Sequence, residues 1–133
     1  MKIAQANLLN GAALAYIGDA IYEAYIRQHV LSQGWSQVNK LHRAAVPYVE
    51  AAGQSYVMQR WLATDQLSEE ELGIYKRGRN HKANTKAKNA SIADYRQASG
   101  FEALLGWLYL TDQSMRLEAL VNQAIQWIEE RDD

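Results

Sequence analysis

The sequence predicts an all-α fold in a single domain. Three observations support this prediction: apolar residues recur at steps of three and four along several segments, strand-like alternation is absent, and proline occurs once in 133 residues. Apolar residues make up 48% of the chain, which is enough for one hydrophobic core at this length. We therefore expect residues 1–133 to form one helical domain.

The first helix should be the longest apolar element of the N-terminal half. We expect it to begin near Asn7 or Asn10, because asparagine is a favourable N-cap residue. The apolar stripe expected on its buried face consists of Leu14, Ile17, Ile21 and Tyr25, with Tyr22 and Ile26 beside them. The helix should end at about Ser32, since Gly34 provides a stop signal.

Two shorter helices are expected next. The first should cover about 36–45, with Ser36 as its N-cap. Pro47 then predicts the first turn of a third helix. Amides in the first turn of a helix have no partner within the helix, so the missing amide of proline costs no hydrogen bond there. Apolar spacing carries that helix to about Ala63.

The second half of the chain contains two N-terminal helix signatures. Ser68 followed by Glu71 is a capping-box pattern, which predicts a helix over 69–77. Residues 78–90 lack a helical apolar stripe and are rich in Gly, Asn, Lys and Thr, so we expect an exposed loop. Residues 91–94 (SIAD) are the second signature, with Ser91 at the start of a helix expected over 91–109. A final helix is expected over 115–130.

Two acidic residues lie on the two most apolar helices, and both have glycines beside them. Asp19 follows Gly18, and Glu102 lies between Gly100 and Gly106. A glycine inside a helix costs about 1 kcal/mol relative to alanine, so close approach of a second helix is its expected reason. A carboxylate pair at such a crossing suits Mg²⁺, which prefers oxygen ligands in octahedral geometry.

The alternative for both acids is an ordinary surface position. On that interpretation Asp19 and Glu102 face solvent or pair with Arg or Lys, as acids on helices usually do.

Ser99 lies one turn before Glu102 and therefore shares its helix face. The chain has no cysteine, which excludes disulfides and thiolate metal sites and fits a cytoplasmic protein. We expect no membrane association, since the apolar runs are far shorter than a membrane span.

Residues 76–90 form a basic segment in a chain whose net charge is −1. The residues expected to contact phosphates are Lys76, Arg77, Arg79, Asn80, Lys82, Lys86 and Lys88. The segment has no Phe, Tyr or Trp for stacking on unpaired bases, which favours a duplex. The alternative is an ordinary surface loop. Together with a Mg²⁺-binding carboxylate pair, the basic segment indicates phosphodiester chemistry.

Motifs distributed along the whole chain resemble the ribonuclease III family. Residues 16–22 (YIGDAIY) resemble the signature segment of its catalytic domain, and residues 101–106 (FEALLG) resemble its second acidic motif. Residues 39–45 and 76–80 fall between them in the family's order. The chain is most similar to the Mini-ribonuclease III branch, which has no double-stranded-RNA-binding domain.

The resemblance implies an all-helical obligate homodimer that hydrolyses double-stranded RNA with Mg²⁺, or with Mn²⁺ in its place. By position, Asp19 would be the principal catalytic and metal-binding aspartate and Glu102 the metal-binding glutamate. Ser99 would position a water molecule. The branch further implies a ribosomal RNA precursor, that of 23S rRNA, as substrate and a ribosomal protein as partner.

Three positions depart from the full-length family pattern. Ribonuclease III carries glutamates where this chain has Ala12 and Ala15, and an aspartate where it has Ser99. The Mini branch looks similarly reduced at Ala15 and has a hydroxyl residue at the position of Ser99. These changes therefore do not indicate loss of activity.

Two other function classes use similar features. One is a non-catalytic helical dimer that binds structured or ribosomal RNA through the basic segment. The other is an all-α nucleotide pyrophosphohydrolase, which also combines acids on helices with Mg²⁺ but needs several of them clustered. The dense acidic cluster here, at 69–71, is better explained by favourable charge at a helix N-terminus.

Overall fold

The computed structural model describes residues 1–81 and 91–131, which form seven α-helices and no strand. The helices are α1 (Ile3–Asn7), α2 (Gly11–Ser32), α3 (Val38–Val49), α4 (Ala51–Ala63), α5 (Glu69–Asn80), α6 (Ile92–Leu110) and α7 (Ser114–Arg131). The predicted all-α class is confirmed. None of these described helices combines the length and apolar character that crossing a membrane requires.

Helix α6 forms the centre of the fold. It contacts α1, α2, α4, α5 and α7. Phe101 on α6 is fully buried; its ring meets Tyr22 of α2 edge-on at 4.9 Å between ring centroids and stacks on Trp61 of α4 at 5.3 Å. Burying aromatic rings removes a large apolar area from water, so this trio joins three helices in the core. Glu102 follows Phe101 directly and is therefore held at the middle of the molecule.

The predicted capping residues begin three of the helices. Asn10 precedes α2, and its side-chain oxygen accepts a hydrogen bond from the Ala13 amide at 2.8 Å. Ser68 and Glu71 form the predicted capping box at the start of α5, with reciprocal side-chain bonds of 2.9 and 3.1 Å. Ser91 caps α6 through its hydroxyl oxygen, which accepts a hydrogen bond from the Asp94 amide at 3.0 Å. These bonds satisfy amides that the first turn of a helix leaves without partners.

The position of Pro47 differs from the prediction. Pro47 lies in the last turn of α3 and does not begin the next helix. Pro47 has no amide to donate to the preceding turn, but the helix continues past it, and the Glu50 amide donates to the Val46 carbonyl at 3.0 Å. Glu50 then adopts an extended conformation and separates α3 from α4. The predicted N-cap was also wrong, since Gln37 rather than Ser36 precedes α3.

The buried face of α2 is displaced by one residue from the predicted stripe. Residues at steps of four lie in the core: Leu14, Gly18, Tyr22, Ile26 and Val30. The predicted stripe residues Ile17, Ile21 and Tyr25 are only partly buried. The displacement places glycine in the middle of the buried face, where α2 meets α6.

Candidate active site

Glycines at the crossing of α2 and α6 allow the two backbones to touch. A Cβ atom added at Gly18 would lie 1.7 Å from the carbonyl oxygen of Glu102, and one added at Gly106 would lie 2.1 Å from that of Leu14. Any side chain at either position would force the helices apart. The expected close approach is confirmed, and it places Asp19 on α2 beside Glu102 on α6.

The side chains of Asp19 and Glu102 are close enough across this crossing for each carboxyl group to affect the other's charge. Asp19 is exposed, whereas Glu102 is half-buried. Burial, followed by the interaction with the neighbouring, negatively charged Asp19, raises the pKa of Glu102 to about 9. Among the described residues, no ion pair with Arg or Lys includes either acid. The two carboxylates therefore have each other as charged neighbours.

This carboxylate pair fits a divalent cation. Its donors are all oxygen atoms, and a cation between them would remove the repulsion that raises the pKa of Glu102. Mg²⁺ typically binds through one or two carboxylates and keeps several waters. The described part of the chain holds no metal-binding group of three or more His, Asp or Glu residues. The protein thus offers a two-carboxylate site.

An open surface depression beside Asp19 also contains Glu23 and Arg27. Glu23 lies one turn after Asp19, and its negative charge contributes to the raised pKa of Glu102. Its own carboxylate accepts a hydrogen bond from Nε of Arg27 at 3.0 Å and forms an ion pair with the same guanidinium at 2.9 Å. Arg27 thereby balances the negative charge of Glu23. Within the described part of the chain, Asp19 is then the acidic residue in this depression that has no ion pair with a basic side chain.

Gln54 is a site residue that the sequence analysis did not identify. Gln54 lies on α4 and is 2% exposed, and its neighbouring amide acts to lower the pKa of Glu102 against the larger opposing effects. The same amide donates to the Val49 carbonyl at 3.3 Å. The available signal was an amide side chain near the start of an apolar helix, but α4 also carries Gln59, and no spacing in the sequence distinguished the two.

Ser99 and Tyr22 lie in the core near Glu102. Ser99 is 5% exposed and precedes Glu102 by one helical turn, as predicted from the spacing. Tyr22 is fully buried, and its hydroxyl has no hydrogen-bond partner among the described residues. Burial, then the negative charges of Tyr48 and Glu102, raises the pKa of Tyr22. Tyr22 therefore remains neutral beside the carboxylate pair.

Helix α5 extends to Asn80, three residues further than predicted. The first part of the basic segment is therefore helical rather than a loop. Arg77 is half-buried, and its guanidinium donates to the backbone carbonyls of Asn7, at 3.0 Å, and Leu9. These bonds attach α5 to the turn between α1 and α2. The structure thus gives Arg77 intramolecular partners.

The other predicted phosphate-binding residues have different surroundings. Lys76 and Asn80 are exposed on α5. The Arg79 guanidinium lies over the Tyr75 ring at 5.3 Å, and its Nε donates to the Asn80 side chain at 3.0 Å. The remaining predicted cations, Lys82, Lys86 and Lys88, lie outside the described residues.

Comparison with known proteins assigns the chain to a family. The ribonuclease III domain matches residues 12–113, which include Asp19 and Glu102. Mini-ribonuclease 3 from Enterococcus faecalis is 53% identical over 94% of this chain and 95% of its own length. Mini-ribonuclease 3 from Streptococcus pneumoniae is 48% identical over 92% and 96%.

A solved structure agrees with these sequence matches. The crystal structure of protein FN1578 from Fusobacterium nucleatum superposes with a TM-score of 0.80 at 29% identity, covering 88% of this chain and 93% of the other. Both the sequence motifs and the helical architecture are therefore shared with known proteins. The chain belongs to the ribonuclease III family, in its Mini-ribonuclease 3 branch.

Proposed function

We propose that this chain hydrolyses double-stranded RNA at Asp19 and Glu102, with Mg²⁺ as the natural metal and Mn²⁺ able to replace it. Membership of the ribonuclease III family makes the chain an endoribonuclease for double-stranded RNA that depends on a divalent metal. The observation that supports the site is the close crossing of α2 and α6 at Gly18, which places the Asp19 carboxylate beside that of Glu102.

In this proposal Asp19 and Glu102 hold the cation. When bound, the metal lowers the pKa of a water nucleophile and stabilises the charge that develops on the scissile phosphate. Asp19 is exposed and faces the substrate, whereas the half-buried Glu102 is held by α6. Ser99, one turn before Glu102, positions a water molecule. The close helix crossing fixes both carboxylates before the RNA arrives, which reduces reorganisation during the reaction.

The basic segment contributes the RNA contacts of the proposed enzyme. Lys76, Arg79 and Asn80 on α5 contact the phosphate backbone together with Lys82, Lys86 and Lys88. Arg77 acts through its bonds to the α1–α2 turn, which hold α5 in place. Because A-form RNA is recognised by its shape and its 2′-hydroxyl groups, cations along the backbone suffice without base contacts.

The active form in this proposal is a cytoplasmic homodimer of one domain, residues 1–133. Two sites related by a twofold axis match the near-twofold symmetry of a duplex and allow cleavage of both strands. Large apolar side chains exposed on α2 and α3 are consistent with an interface: Tyr16, Leu31, Val38 and Val46. The proposed natural substrate is the 23S ribosomal RNA precursor, presented together with a ribosomal protein.

Incubation with matched nucleic acids tests the proposed activity. Purified protein is mixed with a long perfect RNA duplex or with a DNA duplex of the same sequence, in Mg²⁺, in Mn²⁺ or in EDTA. We expect cleavage of the RNA duplex alone, and only with metal. Binding of the RNA duplex and of the 23S precursor without cleavage in either metal would instead identify the alternative, a non-catalytic RNA-binding dimer.

A further inference from the structure

The last turn of α5 packs against both helices that carry the carboxylate pair. A Cβ atom added at Gly11, the first residue of α2, would lie 2.2 Å from the carbonyl oxygen of Arg77. One added at Gly78 would lie 2.7 Å from the carbonyl oxygen of Ser99, which precedes Glu102 by one turn of α6. The end of α5 that carries the exposed basic residues is therefore in direct contact with the scaffold of the candidate active site.

The Arg77 guanidinium points into the protein, at the turn between α1 and α2. Arg77 is half-buried, and its two terminal nitrogens donate to the backbone carbonyls of Asn7, at 3.0 Å, and Leu9. Among the described residues it forms no ion pair with an acid. A guanidinium holds its donors in a rigid planar fork, so two carbonyls bound at once fix its direction. These bonds attach the end of α5 to the residues that lead into α2.

Asn7 connects the same turn to α6. Its backbone carbonyl accepts the bond from Arg77, and its side-chain oxygen accepts a hydrogen bond from the Trp107 indole at 2.8 Å. Trp107 is 2% exposed and follows Gly106, where α6 crosses α2. Buried indole N–H groups usually have an acceptor, and Asn7 provides it here. Trp107, Asn7 and Arg77 thus form one chain of hydrogen bonds from the helix crossing to the end of α5.

This chain of hydrogen bonds has a consequence for a bound duplex. In the proposed function, α5 holds the RNA backbone while Asp19 and Glu102 hold the metal, so both contacts must fit one rigid duplex. A displacement of about 1 Å at a reacting group can lower a rate by about 100-fold. Contacts that keep the end of α5 at a fixed distance from the helix crossing therefore affect the rate without touching the RNA.

We propose that Asn7 and Arg77 are positioning residues, which together with Trp107 place the RNA-contacting end of α5 correctly against the carboxylate pair. This inference rests on the proposed function, because it requires a duplex bound at α5 and cleaved at Asp19 and Glu102. Arg77 contributes its planar fork to the protein and not its charge to a phosphate. Its replacement should slow cleavage within the bound complex and leave the salt dependence of binding unchanged.

The first test compares Arg77→Gln and Arg77→Lys with the unchanged protein. Glutamine removes the charge and lysine keeps it, but neither side chain has the fork that binds both carbonyls. Single-turnover cleavage of an RNA duplex at saturating protein gives the rate, and binding in EDTA at several salt concentrations gives the slope. We expect both variants to lose about ten- to 100-fold in rate and to keep the slope. Arg43→Lys, at an exposed position on α3, is the control and should keep both.

A direct phosphate contact by Arg77 predicts a different pattern. Arg77→Gln would then make the slope shallower by about 0.9, because one phosphate contact is lost. Arg77→Lys would keep both the slope and the rate, since lysine also neutralises a phosphate. This pattern would overturn the positioning role of Arg77.

The second test changes Asn7, which carries no charge. Asn7→Leu keeps the approximate size of the side chain and removes the acceptor of the Trp107 indole, whereas Asn7→Asp retains an oxygen acceptor. We expect the saturating rate to fall about tenfold or more in Asn7→Leu and to be retained in Asn7→Asp. Asn7 is exposed and ends a helix of 5 residues, so the urea midpoints of both variants should match that of the unchanged protein. Equal rates in the two Asn7 variants would overturn the role of Asn7.

The unchanged protein separates failure of this inference from failure of the proposed function. If it cleaves the duplex and every folded Asn7 and Arg77 variant cleaves at the same saturating rate, only the positioning role is overturned. If it neither binds nor cleaves the duplex in Mg²⁺ or Mn²⁺, the proposed function is overturned, and the positioning role with it.

Discussion

Glu71 is a buried carboxylate, 4% exposed, whose charge is balanced by Arg116 of α7. Both Glu71 oxygens accept hydrogen bonds from the guanidinium at 2.9 Å, and Arg116 also donates to the Gln66 carbonyl. Burial alone would raise the pKa of Glu71, but the bonds from Arg116 and Ser68 lower it below its ordinary value. Glu71 thus caps α5 and connects it to α7.

The lowered pKa of Glu71 makes its contribution to stability dependent on pH. The contribution is complete above the unfolded pKa, near 4.3, and disappears as pH falls through the lower folded pKa. We expect Glu71→Gln to reduce the free energy of unfolding by about 1–3 kcal/mol at neutral pH, and this difference to shrink in acid. Urea denaturation at several pH values measures it, with exposed Glu70→Gln as control. A difference that stays constant over that range would contradict this explanation.

Some residues of the candidate site could be predicted from the sequence and others could not. Asp19 and Glu102 could be predicted because an acid beside glycine in an apolar helix needs an explanation, and a helix crossing provides one. Gln54 could not, because its role depends on which helix packs on α6. Arg77 was expected to contact phosphate from its charge alone, yet the structure shows it bonded to backbone carbonyls 68 and 70 residues away in the chain.

At the scale of the helices, the crossing of α2 and α6 should be intolerant of a single methyl group. We expect Gly18→Ala to reduce the free energy of unfolding by about 1–3 kcal/mol or more, because its Cβ would overlap the Glu102 carbonyl oxygen. Cleavage should fall as well, since the helix shift separates Asp19 from Glu102. Urea denaturation and initial cleavage rates measure the two effects.

Gly73 provides the matched control for this substitution. It is exposed on α5, and an added Cβ would have no atom within 4 Å. Gly73→Ala should therefore raise stability by about 0.5–1 kcal/mol through the better helix propensity of alanine. Equal effects of the two substitutions would mean that Gly18 is not a packing glycine.

Helix boundaries were predictable where a side chain determines them. The Asn10, Ser68 and Ser91 caps are local features, so the sequence alone contains the information. Pro47 was assigned to the wrong helix because proline is favoured in a first turn, whereas tertiary packing here retains it in a last turn. Packing against α4, through the contact of Gly53 with the Pro47 carbonyl, is not visible in local sequence.

At the scale of the whole molecule, RNA binding by the basic segment should be strongly salt-dependent. Each phosphate contact contributes a slope of about −0.9 to the logarithm of affinity against the logarithm of salt concentration. We expect the double substitution Lys76→Ala and Arg79→Ala to weaken duplex binding and to make this slope shallower by about 2. Binding isotherms at several salt concentrations, measured in EDTA to prevent cleavage, provide the slope.

Arg60→Ala serves as the control for this experiment. Its guanidinium lies over the Trp127 ring at 4.3 Å, between α4 and α7. Removing this cation changes the net charge by one unit without touching the basic segment, so the slope should be retained. The same slope in the double variant and in the unchanged protein would exclude Lys76 and Arg79 from the RNA interface.

The central claim concerns Asp19, and single-turnover cleavage of an RNA duplex by Asp19→Asn in Mg²⁺ tests it most directly. Asparagine keeps the shape of the side chain and removes its charge. We predict no detectable cleavage, with an unchanged urea midpoint and unchanged duplex binding in EDTA. Cleavage by Asp19→Asn at the rate of the unchanged protein would contradict the assignment of the active site to Asp19 and Glu102.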